Sequence, residues 1–179
     1  MVKITVSGHP GSGTSTLVNK LVQSNSWTSL NGGDVFRSEA KNRGMSLADF
    51  GELCKSDLQV DKELDNLLKE KMSGDNSIDI VESRLAGWWA YLLNIDCVRL
   101  WIDVSDEERA QRVVAREGGT ASQALEANAK RSAVDAARFS ELYNILPQDR
   151  EAYTHVLDAG EMSIDEVFSA VTIILEDFN

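Results

Sequence analysis

The sequence predicts an α/β fold of three layers, in which helices cover both faces of a parallel sheet. Apolar segments of strand length alternate with amphipathic segments of helix length, and capping residues precede several of the helical segments. Strands that are separated by helices pair in parallel through right-handed crossovers, so both faces of the sheet are buried. The chain has 179 residues with no linker or repeat, and a single domain spanning residues 1–179 is expected.

Five segments carry strand patterns, which predicts a five-stranded sheet. The first, Lys3–Ser7, is followed at once by the glycine-rich segment, and the segment near Trp27–Asn31 has the weakest pattern of the five. The remaining three predicted strands are Ile78–Val81, Val98–Val104 and His155–Leu157.

Helices are predicted from apolar stripes and from capping boxes. Thr14–Gln23 places Leu17, Val18, Leu21 and Val22 on one face, and the last helix does the same with Val167, Ala170, Val171 and Ile174. Capping boxes predict helix starts at Ser56 with Gln59, Ser105 with Glu108, Thr120 with Gln123, and Ser163 with Glu166.

Two regions are candidates for subdomains mounted on this core. Gly33–Met72 carries several short helical patterns, with breaks expected at Gly44 and Gly51. The second region is rich in arginine and holds five of the ten arginines of the chain: Arg109, Arg112, Arg116, Arg131 and Arg138. These five arginines could bind anionic substrates or lie on solvated helix faces.

Composition excludes several classes of partner. The net charge of −11 argues against broad binding to nucleic acid or to an anionic membrane. No apolar run approaches the roughly 18–20 residues of a membrane helix, and the N-terminus lacks the charged and apolar regions of a signal peptide. Cys54 and Cys97 form no CxxC motif, so a reducing cytoplasm is expected rather than a disulfide or zinc site.

The motif that carries chemistry is the glycine-rich loop Gly8–Thr16, with the sequence GHPGSGTST. It follows the P-loop pattern G-x-x-x-x-G-K-[ST], in which backbone N–H groups and a helix N-terminus bind phosphates. Ser15 stands at the position whose hydroxyl binds Mg²⁺. Thr14 stands where the pattern has lysine, so either the loop binds nucleotide without turnover or other cations neutralise the phosphates. A plain connection between strand and helix is the alternative.

Over nearly its whole length the chain resembles the archaeal-type cytidylate kinases, within the P-loop nucleoside monophosphate kinase family. The matching segments are GHPGSGTST (8–16), GGDVFRSEAKNRGMSLADFGEL (32–53), VDKELD (60–65), VESRLAG (81–87), SDEERAQRVVARE (105–117) and KRSAVDAARFSELY (130–143). The resemblance implies a P-loop NTPase fold with a helical monophosphate-binding insert at about 33–72 and a lid at about 117–138.

The resemblance also implies a role for each matching residue. Arg37 and Arg84 would bind the acceptor monophosphate, and Arg112 and Arg116 would cover the adenine ring and reach the phosphates. Arg131, Asp135 and Arg138 match the lid pattern R-x-x-x-D-x-x-R, in which one carboxylate can orient two guanidiniums. The implied ATP loop consists of Gly8, His9, Pro10, Gly11, Ser12, Gly13, Thr14, Ser15 and Thr16, with Ser15 on the metal.

Each of these residues also has a structural interpretation. Arg37 could pair with Asp34 on a solvated helix, and the three lid residues could form a surface ion-pair cluster. Glu82 could hold a metal-bound water, but a simple charge at the end of a strand is the expected role. The aromatic residues Trp88, Trp89 and Tyr91 are more typical of a core than of base stacking.

The implied reaction is transfer of the γ-phosphoryl group of ATP, with Mg²⁺, to CMP or dCMP. The protein is expected to be monomeric and cytoplasmic, with no nucleic-acid or membrane partner. Adenylate kinase and a non-catalytic nucleotide-binding regulator are the alternatives. Two residues depart from the family pattern: Gly32 replaces a usual serine and Ser83 a usual glycine, so the base preference is less firmly implied than the reaction.

Overall fold

The computed structural model describes residues 1–74 and 78–178. Its centre is a parallel five-stranded sheet with the strand order β2-β3-β1-β4-β5. The strands are β1 Ile4–Gly8, β2 Ser29–Asn31, β3 Ile80–Glu82, β4 Val98–Asp103 and β5 His155–Asp158. All five predicted strands are therefore confirmed, with bounds that shift by one or two residues.

Helices cover both faces of the sheet, which confirms the three-layer α/β class. They are α1 Thr14–Asn25, α2 Gly32–Asn42, α3 Leu47–Ser56, α4 Leu58–Ser73, α5 Ala86–Leu92, α6 Asp106–Glu117, α7 Ala121–Tyr143 and α8 Ile164–Phe178, with a short 3₁₀ turn at Arg150–Ala152. Within the described ranges, none of the helices combines the length and apolar character that crossing a membrane requires.

Two hydrophobic layers sandwich the sheet. On one face, Leu17 and Leu21 of α1 and Val171 of α8 pack against the buried side chains Ile4 and Val6. The other face is aromatic, because Trp88 and Trp89 of α5 pack with Trp101 and Tyr153. Trp88 and Trp89 are 5% and 1% exposed, so the prediction that they belong to the core is confirmed.

The predicted capping residues begin three helices. Ser105 caps α6, Thr120 caps α7 through a complete capping box, and the Ser163 hydroxyl accepts from the Glu166 N–H at the start of α8. The predicted start at Ser56 is wrong. Ser56 is the last residue of α3, and Asp57 caps α4 because its carboxylate accepts from the Gln59 N–H.

Helices α2, α3 and α4 form a small unit at one end of the sheet with a core of its own, made by Ala40, Phe50, Cys54 and Val60. Gly44 follows α2 with a φ of +66°, so the predicted break there is confirmed. The predicted break at Gly51 is wrong, because Gly51 lies inside α3. Apolar contacts of Phe50 on the same helix outweigh the weak helix propensity of one glycine.

We predict opposite stability effects for alanine at two helical glycines. A Cβ at Gly87 would lie 2.3 Å from Cε1 of Tyr153, so Gly87→Ala forces the aromatic layer apart and should cost about 1–3 kcal/mol. At Gly51 the nearest atom, Cζ of Phe36, is 3.9 Å away, so Gly51→Ala should stabilise the protein by about 0.5–1 kcal/mol. Urea unfolding of both variants measures the difference; a Gly87→Ala variant as stable as Gly51→Ala would contradict this packing.

Candidate functional site

A cleft of about 1160 Å³ opens where the sheet ends at Gly8 of β1 and Glu82 of β3. Its walls come from the glycine-rich loop, from α2–α4 and from α7. The carboxyl ends of parallel strands are where α/β proteins bind ligands, because the connecting loops diverge there. We refer to this cavity as the central cleft.

The glycine-rich loop has the shape that phosphate binding needs. Gly11 and Gly13 have φ values of +86° and +89°, a region that residues with a Cβ rarely adopt. A Cβ at Gly11 would also lie 2.9 Å from the Arg109 carbonyl oxygen. Gly13 caps α1 without any side-chain hydrogen bond, so the first N–H groups of that helix are left for a ligand.

Two arginines of α6 support the loop from below. Arg109 is 2% exposed, and its Nη1 donates to the Pro10 carbonyl oxygen at 2.8 Å. Arg112 donates from Nη1 to the Ser12 carbonyl oxygen at 3.1 Å and from Nη2 to the Ala159 carbonyl oxygen. Arg112, for which the resemblance implied ATP binding, thus contacts the backbone of the loop and does not line the central cleft.

The carboxylate of Glu82 joins three segments at the floor of the cleft. Its Oε1 accepts hydrogen bonds from the hydroxyls of Thr14 and Ser15, both at 2.7 Å. Its Oε2 accepts from Nδ2 of Asn31 at 2.7 Å. Glu82 is only 8% exposed, and burial of a carboxylate is tolerated because its oxygens are satisfied.

This arrangement explains what Thr14 does at the position usually held by lysine. Thr14 is 9% exposed and its side chain is neutral, so it stabilises Glu82 through a hydrogen bond rather than through charge. The expectation that Glu82 is a simple strand-terminal charge is therefore wrong. The register could have indicated the contact, since Asn31 of β2 lies directly opposite Glu82 of β3.

Four charged residues form a row along the cleft, which we call the arginine–carboxylate row: Arg84, Asp135, Arg138 and Asp61. Arg84 donates from Nη1 to the Gly8 carbonyl oxygen and from Nε to Asp135 Oδ2, both at 3.0 Å. Asp135 Oδ1 lies 3.5 Å from Nη2 of Arg138. Arg138 then donates from Nη1 to Asp61 Oδ1 at 3.3 Å.

The row departs from the expected pairing in one respect. Asp135 does orient two guanidiniums, but they belong to Arg84 and Arg138 rather than to Arg131 and Arg138. Arg131 is exposed at the cleft wall and makes no ion pair with any described residue. Arg84 follows the end of β3, so the spacing of residues along α7 could not show that it pairs with Asp135. Burial lowers the pKa of Arg84, and the adjacent Asp135 carboxylate opposes that shift.

The other predicted arginines are more exposed. Arg116 lines the cleft with a side chain that is 62% exposed and paired with Glu117. Arg37 pairs with Asp34 on α2, as the structural interpretation expects, and does not line the cleft. Gly33 does line the cleft, and a Cβ on Gly33 would lie 3.2 Å from Nη1 of Arg37. The Arg37 guanidinium is therefore close to the cavity although it does not line it.

Two acids of α4, the buried Asp61 and the half-buried Asp65, line the far end of the cleft, away from the loop. Asp61 is 6% exposed, and burial raises its pKa while Arg138 opposes the shift. Burial also raises the pKa of Asp65, whose Oδ2 accepts from the Tyr143 hydroxyl at 2.8 Å. Nearby, burial and the Asp61 carboxylate raise the pKa of the Cys54 thiol to about 11. The Asp61 carboxylate at this end of the cleft is therefore poorly solvated.

Near the loop, His9 packs its ring edge-to-face with Trp101 at a centroid distance of 5.0 Å. Burial lowers the pKa of His9, and the nearby guanidiniums of Arg109 and Arg84 lower it further. The His9 imidazole of the glycine-rich loop is therefore held in its neutral form.

Comparison with known proteins identifies relatives of the whole chain. A family model described as an AAA domain matches residues 7–130. The curated cytidylate kinase of Methanocorpusculum labreanum is 39% identical over 171 residues, which cover 95% of this chain and 94% of the relative. The cytidylate kinase of Halobacterium salinarum is 36% identical over 168 residues, with 94% and 86% covered.

A solved structure supports the fold. The shikimate kinase of Bacteroides thetaiotaomicron superimposes with a TM-score of 0.62 at 13% identity, covering 98% of each chain. At that identity the likeness concerns the fold alone.

Proposed function

The chain belongs to the AAA-domain family and to the family of the archaeal cytidylate kinases, and from this premise we propose that it phosphorylates CMP or dCMP with ATP. The products are ADP and CDP or dCDP. The observation that carries the proposal is a single cleft in which the glycine-rich loop, Ser15 and Glu82 meet the arginine–carboxylate row. Such a cleft offers one place for a triphosphate and an adjacent place for an acceptor phosphate.

The loop Gly8–Thr16 is assigned to the phosphates of ATP. Its backbone N–H groups, together with the uncapped first turn of α1, bind the phosphate oxygens and add the positive end of the helix dipole. Arg112 and Arg109 act here by holding the loop carbonyls, which keeps the N–H groups turned toward the cleft. Arg116, at the edge of the cleft, is assigned to the phosphates of ATP. There its positive charge takes the place of the charge of the missing lysine.

The residues present fit Mg²⁺. Ser15 Oγ and Glu82 Oε1 lie 2.7 Å apart at the cleft floor, and both are hard oxygen ligands of the kind Mg²⁺ prefers. Among the described residues no cluster of three or more His, Cys, Asp or Glu side chains could bind a metal alone. Mg²⁺ usually takes few protein ligands and relies on substrate phosphates, so Ser15 would bind it directly and Glu82 would bind its water. When bound there, Mg²⁺ would supply neutralisation of phosphate charge.

Arg84, with Arg37 as a second contact, is assigned to the phosphate of the acceptor. Arg84 lies against the Gly8 carbonyl, so an anion bound to it is next to the loop that holds the γ-phosphate. Asp135 orients Arg84 and Arg138 together, and Arg131 brings a further cation from α7. Phosphoryl transfer needs little covalent chemistry from a protein, so alignment and neutralisation of spreading charge supply the rate.

We assign closure of the site to the two helical units. Residues 33–72, which form α2–α4, are the acceptor-binding insert, and residues 117–138 are the lid, whose helix α7 continues to Tyr143. Gly118 and Gly119, both with positive φ, join α6 to α7 and supply a hinge. Closure excludes water, which prevents hydrolysis of ATP and strengthens the electrostatic interactions in the cleft.

The proposed setting is the cytoplasm, with the protein acting as a monomer in pyrimidine nucleotide metabolism. The free thiols of Cys54 and Cys97 suit a reducing compartment. The net charge of −11 disfavours large polyanions, whereas the arginines that line the cleft attract small anions, so the proposed partners are small nucleotides.

An acceptor panel tests the proposal. With ATP and Mg²⁺, we expect CMP and dCMP to be phosphorylated with the highest kcat/KM, and ADP formation in a coupled assay measures each acceptor at matched concentrations. If AMP or UMP were turned over more than tenfold faster than CMP and dCMP, the assigned acceptor would be wrong, but the assignment as a kinase would stand. If no monophosphate supported ADP formation, the protein would be a nucleotide-binding regulator instead.

A second prediction concerns the position of the missing lysine. Thr14→Lys should change kcat by no more than about tenfold, because the arginines already neutralise the phosphates and the added ammonium lies beside the Glu82 carboxylate. Steady-state kinetics of both proteins, with thermal unfolding to verify folding, measure the effect. A wild-type protein without activity that Thr14→Lys activates by several orders of magnitude would contradict the prediction.

A further inference from the structure

Three residues that line the central cleft, Asp61, Ser83 and Arg138, each have a buried polar atom without a partner in the described part of the chain, and Asp61 is the only carboxylate among these three. Asp61 is 6% exposed, and its Oδ1 is bound by Arg138, but its buried Oδ2 has no hydrogen-bond partner in the described part of the chain. Nε of Arg138 is likewise buried and without a partner there. Buried polar atoms in proteins are nearly always hydrogen-bonded, so an unpaired carboxylate oxygen that lines a cleft points to a ligand that donates to it.

The position of Asp61 shows which part of a ligand it meets. The arginine–carboxylate row begins at the Gly8 carbonyl beside the glycine-rich loop and ends at Asp61 on α4. An acceptor nucleotide whose phosphate lies near Arg84 and the loop therefore extends its base toward Asp61. The same end of the cleft is lined by Phe36, Leu64 and Leu68, whose apolar side chains suit the faces of a base.

We propose that Asp61 selects cytosine over uracil in the acceptor by taking a hydrogen bond from the 4-amino group of the base on Oδ2. This rests on the proposed function, since it deepens the assignment of the same cleft. Cytosine presents N–H donors at position 4, whereas uracil presents a carbonyl oxygen there, which a carboxylate repels. The unpartnered Nε–H of Arg138 supplies the donor that N3 or O2 of cytosine accepts.

The discrimination should be large because the site is buried. A pocket built to hydrogen-bond a polar group rejects an analogue lacking that group, since its own buried atom is then left unpaired. A hydrogen bond to a charged group corresponds to a factor of about ten to one hundred in kcat/KM.

The first test uses the unmodified protein. The 2-pyrimidinone ribonucleoside 5′-monophosphate lacks only the 4-amino group of CMP, and we expect its kcat/KM to be at least tenfold lower than that of CMP. Equal use of the two acceptors would overturn the role of Asp61 and leave the kinase proposal intact. If the protein phosphorylated neither CMP nor the analogue, both the proposed function and this inference would be wrong.

The second test assigns the effect to Asp61. Asp61→Asn should lower the ratio of kcat/KM for CMP to that for UMP at least tenfold, with KM for ATP unchanged. The matched control is Asp65→Asn, one turn along α4, where the carboxylate already accepts from Tyr143; its CMP-to-UMP ratio should stay within about threefold of wild type. An Asp61→Asn variant that loses activity toward all acceptors alike would show that Asp61 only holds Arg138.

Discussion

The carboxylate of Glu82 is the contact on which the arrangement of the site depends. Through three hydrogen bonds it joins the end of β3 to the start of α1 and to the end of β2. These segments are adjacent because β1, β3 and β2 are neighbouring parallel strands, whose carboxyl ends meet at one edge of the sheet. Ser15 and Asn31 both bind this buried carboxylate. The glycine-rich loop, the proposed metal ligand and the start of α2 are therefore held in fixed positions relative to one another.

The second constraint is charge. The proposed function requires a chain with a net charge of −11 to bind two anionic nucleotides, and its arginines are gathered around one cleft. Each central guanidinium is held by a carboxylate or a backbone carbonyl, as Arg84 is by Asp135 and Gly8. Charged groups that are oriented in advance lose little freedom when a ligand binds, and preorganised groups stabilise a transition state more than mobile ones do.

Much of this could be predicted from the sequence, because it depends on local patterns. The strands, the glycine-rich loop, the caps at Ser105 and Thr120 and the three-layer class all follow from periodicity and capping chemistry. The errors arise where tertiary contacts decide. Gly51 stays helical because Phe50 anchors α3 in a core, and Asp135 pairs with Arg84, which lies 51 positions away along the chain. The roles of Glu82 and Asp61 depend on partners from other elements, which spacing along one helix or strand does not reveal.

The most direct test of this account is a crystal structure with a bisubstrate analogue in which adenosine and cytidine are joined by five phosphates. We expect the phosphate chain to lie on the N–H groups of Gly8–Ser15 and against Arg84, with cytosine between α4 and α7 at Asp61. Phosphates bound away from the loop, or a cytidine end outside the row from Arg84 to Asp61, would contradict it.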